Sequence, residues 1–538
     1  MTVLQAILIS GIYWFSAVET PYCLYYLMTA PMCAGVLTGL ILGDVTTGLI
    51  VGAAVQMIFL APSGFGGVVP TDKPAAGIIA TAAVITTGIS VEAGVVLAVP
   101  AALLFAQLHM VRRLAASIWV HMADKYAEEG NTRGIVLAGT LYPTLLKIPL
   151  FWLPMMLMVY FGTGAVGDIV NSLPQFIING LNAAGMLLPA LGFAMTIRMI
   201  GRRELMPFFV GGFFFLRYSN LGTIPVVLVA LFLAYLYIMF AKDNSEISAK
   251  DVLTNIRSDA AAHSAEGRLL TMKDVNKTWG CWYLAAEMSN SFERLQSLAF
   301  CISFIPAINK LYKDNPEEKK AALKRHLTFF NTEGNLGAVI HGVALSMEEQ
   351  RAMGQPITGD MIVNLKTGLM GPMAGVGDSI IWSTISVIAL AAALPGAAAG
   401  SILSPILYVV GMGGFVALLG LLTTRLGYKL GTKAASTLLS SGIINRLLSF
   451  FAVLGLFMLG AMSASFVNVT TPLVIAAGET TVAVQSVIFD GILPGILTLA
   501  TVWGVYEYLR KGKGNVMLKA TLALLIVGLV LGGLGILG

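Results

Sequence analysis

Charge is scarce in this sequence. Only 11% of its 538 residues are Asp, Glu, Lys or Arg, against about 25% in a soluble globular chain. That shortage, a mean hydropathy of +0.82 and many long apolar runs point to an all-α polytopic membrane protein. The runs are continuous rather than alternating, which argues against a transmembrane β-barrel. No Lys or Arg precedes Lys73, and a cleavable signal peptide needs a basic n-region, so residue 1 is expected to be retained. Cysteine is rare too: Cys23, Cys33, Cys281 and Cys301 form no CxxC and stand in apolar contexts, as small buried hydrophobes do.

Motifs for energy coupling and catalysis are missing. There is no GxxxxGK[ST], hence no engine for ATP-driven transport. "AGVGDS" (374–379) lacks the third glycine and the preceding strand of a dinucleotide fingerprint. No HExxH and no Cys/His cluster at metal spacing occurs, so neither a metal nor another cofactor is expected. His109, His121, His263, His326 and His341 are scattered. No nucleophile–base pair at sensible spacing marks an enzyme in its own right.

What is present divides the chain. Residues 241–281, "AKDNSEISAKDVLTNIRSDAAAHSAEGRLLTMKDVNKTWGC", are polar and mixed in charge. We read 1–240 and 271–538 as two membrane domains joined by a linker over 241–270. The basic residues from Lys242 to Lys277 place that linker in the cytoplasm. "RRLAASIWVHMADKYAEEGNTR" (112–133) reads as amphipathic and interfacial or cytoplasmic. Around 309–335 the spacing predicts a helix: Asn315 as cap, Pro316 in the first turn, and Glu317 and Glu318 at the positive dipole end. Leu323, Leu327 and Phe330 share one of its faces. Many apolar runs fall short of the ~20 residues of a full span, so re-entrant hairpins and broken helices are expected beside spanning ones.

Two stretches match loosely across the halves: "GFGGVVPTDKPAAGIIATAAV" (64–84) and "GLMGPMAGVGDSIIWSTISVI" (368–388). Each has clustered glycines, a proline, an aspartate and then an apolar run. Gly/Pro-interrupted segments in corresponding positions of two halves mark binding sites at repeat interfaces. Asp378 must be paired or wet at membrane depth; capping a helix that starts at Ser379 and serving a ligand both fit it. Other polar residues lie in apolar surroundings: Gln56, Asp72 and Lys73, then Asn290, Ser291, Glu293 and Arg294, then Asn331, Thr332, Glu333 and Asn335. Carboxylates and amides fork onto sugar hydroxyls, since a carboxylate accepts two hydrogen bonds and an amide both donates and accepts. Each residue also has a structural reading, as a helix-break partner or in an intramembrane ion pair such as one made by Glu293 or Arg294. As a set they mark a substrate path.

Several of these stretches carry a resemblance. "HLTFFNTE" (326–333), "GLMGPMAGVGD" (368–378), "SFERLQSL" (291–298), "GYKLGTK" (427–433) and "LGLFMLGA" (454–461) resemble the IID component of the mannose-type phosphotransferase system. "GLILGDVTTGLIVGA" (39–53), "ADKYAEEGN" (123–131), "PQFIINGLNAAGMLLPALGFAMTIRM" (174–199) and "LMPFF" (205–209) are similar to its IIC component. The resemblance implies fused IIC and IID parts forming the membrane pathway of a group translocator in the bacterial inner membrane. Such a protein takes up a hexose-class sugar outside and presents it to a cytoplasmic IIB subunit. IIB, itself phosphorylated by IIA, passes phosphate to the sugar, and the membrane part carries no phosphorylation site. The resemblance also implies a pseudo-twofold between the parts, a homotrimer and an elevator-like movement. An ion-coupled secondary sugar transporter is the alternative.

Carried over by position, the sugar-contacting candidates are Gln56, Asp72 and Lys73 from the IIC part, with Asn290, Ser291, Glu293, Asn331 and Thr332 from the IID part. Gly66 and Gly67, and Gly371, Gly375, Gly377 and Asp378, are expected at the tips of two re-entrant hairpins. Where mannose-specific IID chains read Trp-Asn before Phe/Tyr-Glu-Arg, this chain has Asn290-Ser291-Phe292-Glu293-Arg294; where the IIC loop reads Pro-Asp, it has Thr71-Asp72-Lys73. These departures point toward an amino- or N-acetylamino-hexose or a sugar–amino acid conjugate, with Lys73 available to an acidic group.

Overall fold

A computed structural model describes residues 1–22, 24, 28–60, 71–162, 174–219, 223–240, 268–291, 293–440, 443–477, 480–512 and 516–537. The first half contributes α1 (Val3–Val18), α2 (Pro31–Leu42), α3 (Val45–Ile58), α4 (Lys73–Thr87), α5 (Val91–Glu129), α6 (Thr132–Gly162), α7 (Gln175–Ile200), α8 (Met206–Ser219) and α9 (Thr223–Phe240). The second contributes α10 (Met272–Ala285), α11 (Ser297–Leu311), α12 (Pro316–His326), α13 (Ala338–Ala352), α14 (Gly359–Ala398), α15 (Leu403–Ser440), α16 (Ile443–Phe466), α17 (Ile496–Lys511) and α18 (Val516–Gly533). The all-α expectation holds, with one departure: strands β1 (Val474–Ala477) and β2 (Thr480–Ala483) pair antiparallel between α16 and α17. Most of the 241–270 linker lies outside the described residues.

Five helices among the described residues are long and apolar enough to cross a membrane, or six if the pair Val484–Ile492 and Ile496–Lys511, bent by 70°, counts as one span. α1 to α4 are shorter, at 12–16 residues, below the ~20 that a full span needs. α5 and α14 have 39 and 40 residues, about 60 Å each at 1.5 Å per residue, and one lies in each half. In α12, Asn315 accepts from the Glu318 N–H, Pro316 opens the helix, and Lys324, Arg325 and His326 fill its last turn. Leu323, Leu327 and Phe330 are buried, but α12 is shorter than the expected 309–335: Leu327 is its C-cap and Phe330 lies beyond it.

The glycine-rich stretch of the second half corrects the hairpin reading. Gly371, Gly375 and Gly377 lie inside α14, and Asp378 continues it with helical φ −59° and ψ −40°. Residues 378–385 widen to a π-helical turn, and the helix then runs on to Ala398. No hairpin tip forms here, and Asp378 does not cap a helix starting at Ser379. Helix-breaking residues are tolerated because neighbouring structure supports the backbone. Nor do all the glycines serve close packing: a Cβ added at Gly368, Gly371 or Gly375 would meet nothing within 4 Å. Asp72 starts α4, whereas Asp378 sits within α14, so the two aspartates do not hold corresponding positions. Gly66 and Gly67 lie outside the described residues.

Lipid gives helices no hydrophobic reason to associate, so close van der Waals contact must do it. The two halves meet through such contacts. α8 and α16 cross where Gly212 faces the Phe457 carbonyl and Gly460 faces the Phe209 carbonyl; a Cβ would come within 2.0 and 1.9 Å of those oxygens. The exchange is reciprocal, Phe-x-x-Gly onto Phe-x-x-Gly, as a twofold relation between unlike halves produces. α7 and α18 approach similarly, with Gly528 against Ala184 and Gly180 against Leu529.

Charged ends of both halves form a polar cap. Arg294 forks onto Asp124 at 2.7 and 2.9 Å, and Lys324 pairs with Glu128. Beneath it, Glu348 on α13 receives Arg325, His326 and the Tyr312 hydroxyl. Burial opposes the charge on Glu348, but Arg325 and His326 outweigh it and hold its carboxyl well below the usual range. Burial pushes the His326 imidazole down to about 4, against the pull of Glu348.

Two expectations follow. Gly460→Ala drives a methyl into a backbone carbonyl and should cost about 1–3 kcal/mol or more. Gly371→Ala, in open space, should leave thermal stability unchanged or raise it; melting curves in detergent compare them. His326 stays neutral in the fold while an unfolded imidazole takes a proton near 6.5. Stability is therefore complete above that pH and is lost as pH falls toward 4. The melting temperature should drop between pH 7 and pH 5, and His326→Gln should flatten that slope.

Candidate functional site

The turn "FNTEGNLG" (330–337) sits at the seam between the halves. Glu333 shapes it by accepting from the Asn335 amide at 2.6 Å and from the backbone N–H groups of Asn335 and Leu336 at 3.0 and 2.7 Å. The Gly334 carbonyl accepts from Trp282 Nε1 at 2.9 Å. On one side the turn lies against α14, where an added Cβ at Gly377 would meet the Glu333 Cβ at 2.4 Å. Gln296 ties it to the preceding loop: its Oε1 accepts from the Thr332 N–H, and its amide donates to Glu287 Oε1 at 2.8 Å. Asn290 donates to the other oxygen of Glu287 at 2.9 Å.

The first half closes this arrangement. After α1, Glu19 adopts the left-handed conformation, φ 59°. The Tyr22 N–H then donates to the Tyr283 carbonyl, and Thr20 Oγ1 donates to that of Leu284. The Tyr22 ring packs edge-on against Tyr283 and Trp382, and Tyr283 stacks on Trp279 at 5.0 Å. A wall of four aromatic rings, one from the first half, thus flanks the turn. Beside it runs a buried ionic group. Arg112 donates to Glu19 at 2.8 Å, and fully buried Lys147 donates to the Val18 carbonyl of one half and the Met288 carbonyl of the other. Glu287 feels the charges of Glu19 and Arg113.

Of the residues singled out in the sequence, Asn290, Ser291, Asn331 and Thr332 come to the seam. Asn290 Oδ1 and Thr332 Oγ1 are buried with no hydrogen-bond partner among the described residues. Ser291 instead builds the loop: its Oγ accepts from the Arg294 N–H, and its backbone exchanges two hydrogen bonds with Leu295. Glu293 stands apart, 40% exposed and 3.2 Å from His121 in the polar cap, an ion-pair role that the sequence allowed. Asp72 is a joint between helices. One oxygen caps α4 through the Ala75 N–H, and the other receives the Tyr13 hydroxyl and His109. These partners leave little lone-pair capacity for a solute. His109 and His121 are twelve positions apart on α5, so Asp72 and Glu293 lie at levels separated by roughly 18 Å rather than in one shared cluster. Gln56 is buried in α3 with its Oε1 unpartnered among the described residues. Lys73 opens α4 beside Asp72. No group of three or more His, Cys, Asp or Glu among the described residues could hold a metal ion.

Sequence reasoning passed over Glu19, Arg112, Lys147, Glu287, Gln296 and the aromatic wall. A signal for the ionic group existed. Glu19 is the only charged residue before Asp44, and Lys147 the only Lys or Arg between Arg133 and Arg198; isolated charges in apolar sequence are functional markers by default.

Comparison with known proteins gives two matches that together cover most of the chain. Residues 269–537 match the mannose/fructose/sorbose family IID component of the phosphotransferase system, and residues 3–236 match its sorbose-specific IIC component. The mannose-specific EIID component of Escherichia coli K12 is 37% identical over 229 residues, 41% of this chain and 80% of that protein. The sorbose-specific EIID component of Lacticaseibacillus casei is 37% identical over 255 residues, 47% of this chain and 89% of that protein. The mannose-specific EIIC component of E. coli K12 is 32% identical over 220 residues, 40% and 82% of the two chains. A solved mannose transporter ManYZ–microcin E492 complex is 34% identical, covering 51% of this chain and all of that one, with a TM-score of 0.30.

Lys147→Met should strip two carbonyls and two nearby carboxylates of their cation, at a cost on the order of 3 kcal/mol. Adding Glu19→Gln should cost less than the sum of the single changes, because the groups interact; thermal denaturation of the four variants measures the coupling.

Proposed function

From the premise that this chain belongs to the mannose/fructose/sorbose family of phosphotransferase-system membrane components, with IIC and IID parts in one polypeptide, we propose that the seam around residues 330–337 is where it holds its sugar. The chain is a multi-pass, sugar-transporting membrane component of such a system, and its partners are a sugar and cytoplasmic IIA and IIB proteins. The observation that carries the site is the closing of a polar IID turn, rich in amides and carboxylates, by an aromatic and ionic segment of the IIC part. Aromatic faces suit the C–H side of a sugar, and buried amides suit its hydroxyls.

Within this reading Asn290, Asn331 and Thr332 contact the sugar, and Gln56 offers a further acceptor from the IIC part. Asp72, Ser291 and Glu293 hold the frame, and no role is assigned to Lys73. IIB takes the sugar at the polar cap and phosphorylates it there. The domains run 1–240 and 271–538 about a cytoplasmic linker, the assembly is a homotrimer in a bacterial inner membrane, and translocation proceeds by an elevator-like movement. Relatives named for mannose, sorbose and fructose and the departures at Asn290-Ser291 and Thr71-Asp72 define the panel: D-mannose, D-glucose, L-sorbose, D-fructose, D-glucosamine and N-acetyl-D-glucosamine.

Vesicles carrying the protein should accumulate phosphorylated sugar from this panel only when IIA, IIB and a phosphoryl supply are present. Gln296→Ala, which frees both Thr332 and Glu287, should lower uptake tenfold or more, about 1.4 kcal/mol. Unmodified sugar accumulating on an ion gradient alone would replace group translocation with ion-coupled transport.

A further inference from the structure

Two buried polar atoms, one in the turn and one on α10, have no hydrogen-bond partner among the described residues. Asn335 is fully buried, and its amide nitrogen is committed to Glu333 Oε1 at 2.6 Å. That contact fixes the orientation of the amide, so Oδ1 is the acceptor that remains, and it has no partner among the described residues. Trp279 Nε1, a donor only, is also buried without a partner among the described residues. Both converge on Gly420 of α15: a Cβ placed there would lie 3.0 Å from Trp279 Nε1 and 3.5 Å from Asn335 Oδ1. The corner is held firmly. Thr423 Oγ1 donates to the Asn335 carbonyl at 2.6 Å, and Thr424 Oγ1 to that of Gly420 at 2.8 Å. It is also continuous with the aromatic wall, through the stacking of Trp279 on Tyr283.

The chemistry of this pair is selective. One atom that satisfies both must accept from an indole N–H and donate to an amide oxygen. A carboxylate or phosphate oxygen cannot donate, an ammonium cannot accept, and a C–H group does neither. A hydroxyl does both, as does a water molecule, which a sugar hydroxyl would displace. Leaving a buried donor and acceptor unmade is costly, so the corner rewards a hydroxyl that fills both roles at once. We propose that Trp279, Asn335 and Gly420 form a subsite that takes one hydroxyl of the transported sugar and sets specificity at that carbon. This rests on the reading that the seam holds the sugar. A side chain at position 420 would occupy the corner itself, which is why glycine stands there.

The test uses the full chain in vesicles with IIA and IIB, and the best-transported sugar of the panel above with its mono-deoxy analogues as competitors. With the wild type, one analogue should compete tenfold or more weakly than the parent, since sites built to bind a hydroxyl discriminate strongly against its loss. Trp279→Phe keeps the stacked ring and removes the N–H. It should weaken the parent about tenfold and erase the penalty for that one analogue, leaving the others' ratios intact. Gly420→Ala should do the same by filling the corner, with unchanged melting behaviour. If both variants keep every wild-type ratio, the corner takes no sugar hydroxyl and the proposal fails. If they weaken parent and all analogues alike, the residues serve the frame and the proposal fails too. Gln296→Ala separates the two readings. Loss of competition there with unaltered ratios in the corner variants overturns only the subsite, whereas wild-type competition by Gln296→Ala overturns the seam as the sugar site.

Discussion

One buried ammonium group ties the architecture together. Lys147 reaches from α6 to the last carbonyl of α1 and to a carbonyl in the loop after α10, so a single cation is shared by backbone from both halves. Burying it is costly unless carboxylates and hydrogen bonds compensate. Glu19 and Glu287 lie within its field, with Arg112 paired to Glu19. Through Lys147 the end of α1 is tied to the segment that follows α10. The aromatic wall and the 330–337 turn are built on that frame.

The remaining contacts between halves are of a different kind. Glycine lets backbones touch where α8 meets α16 and α7 meets α18, and these crossings rest on close van der Waals contact. The protein therefore has a dry seam, held by shape, and a polar one, held by ions and amides. A solute with many hydroxyl groups can exchange partners with the second and not with the first.

Much of this was readable beforehand, for local reasons. The ends of α12 follow from Asn315, Pro316 and the charge order along eleven residues. Asp72 is ambiguous in sequence because a carboxylate before Lys-Pro looks alike whether it caps a helix or binds a ligand, and its partners Tyr13 and His109 lie 59 and 37 positions away. The glycines of 368–377 misled because their breaking tendency is weak against tertiary support. Lys147 and Glu19 were overlooked because their partners lie on other helices, and no periodicity announces a pair separated by more than a hundred residues.

The length of α5 has a mechanical meaning. A helix of about 58 Å in a hydrocarbon layer about 30 Å thick leaves a surplus of nearly 30 Å unless it leans steeply. Its last 18 residues, with Arg112 at the base and Asp124 and Glu128 near the top, rise about 27 Å and act as a stalk that carries the ion pairs to the IID cap.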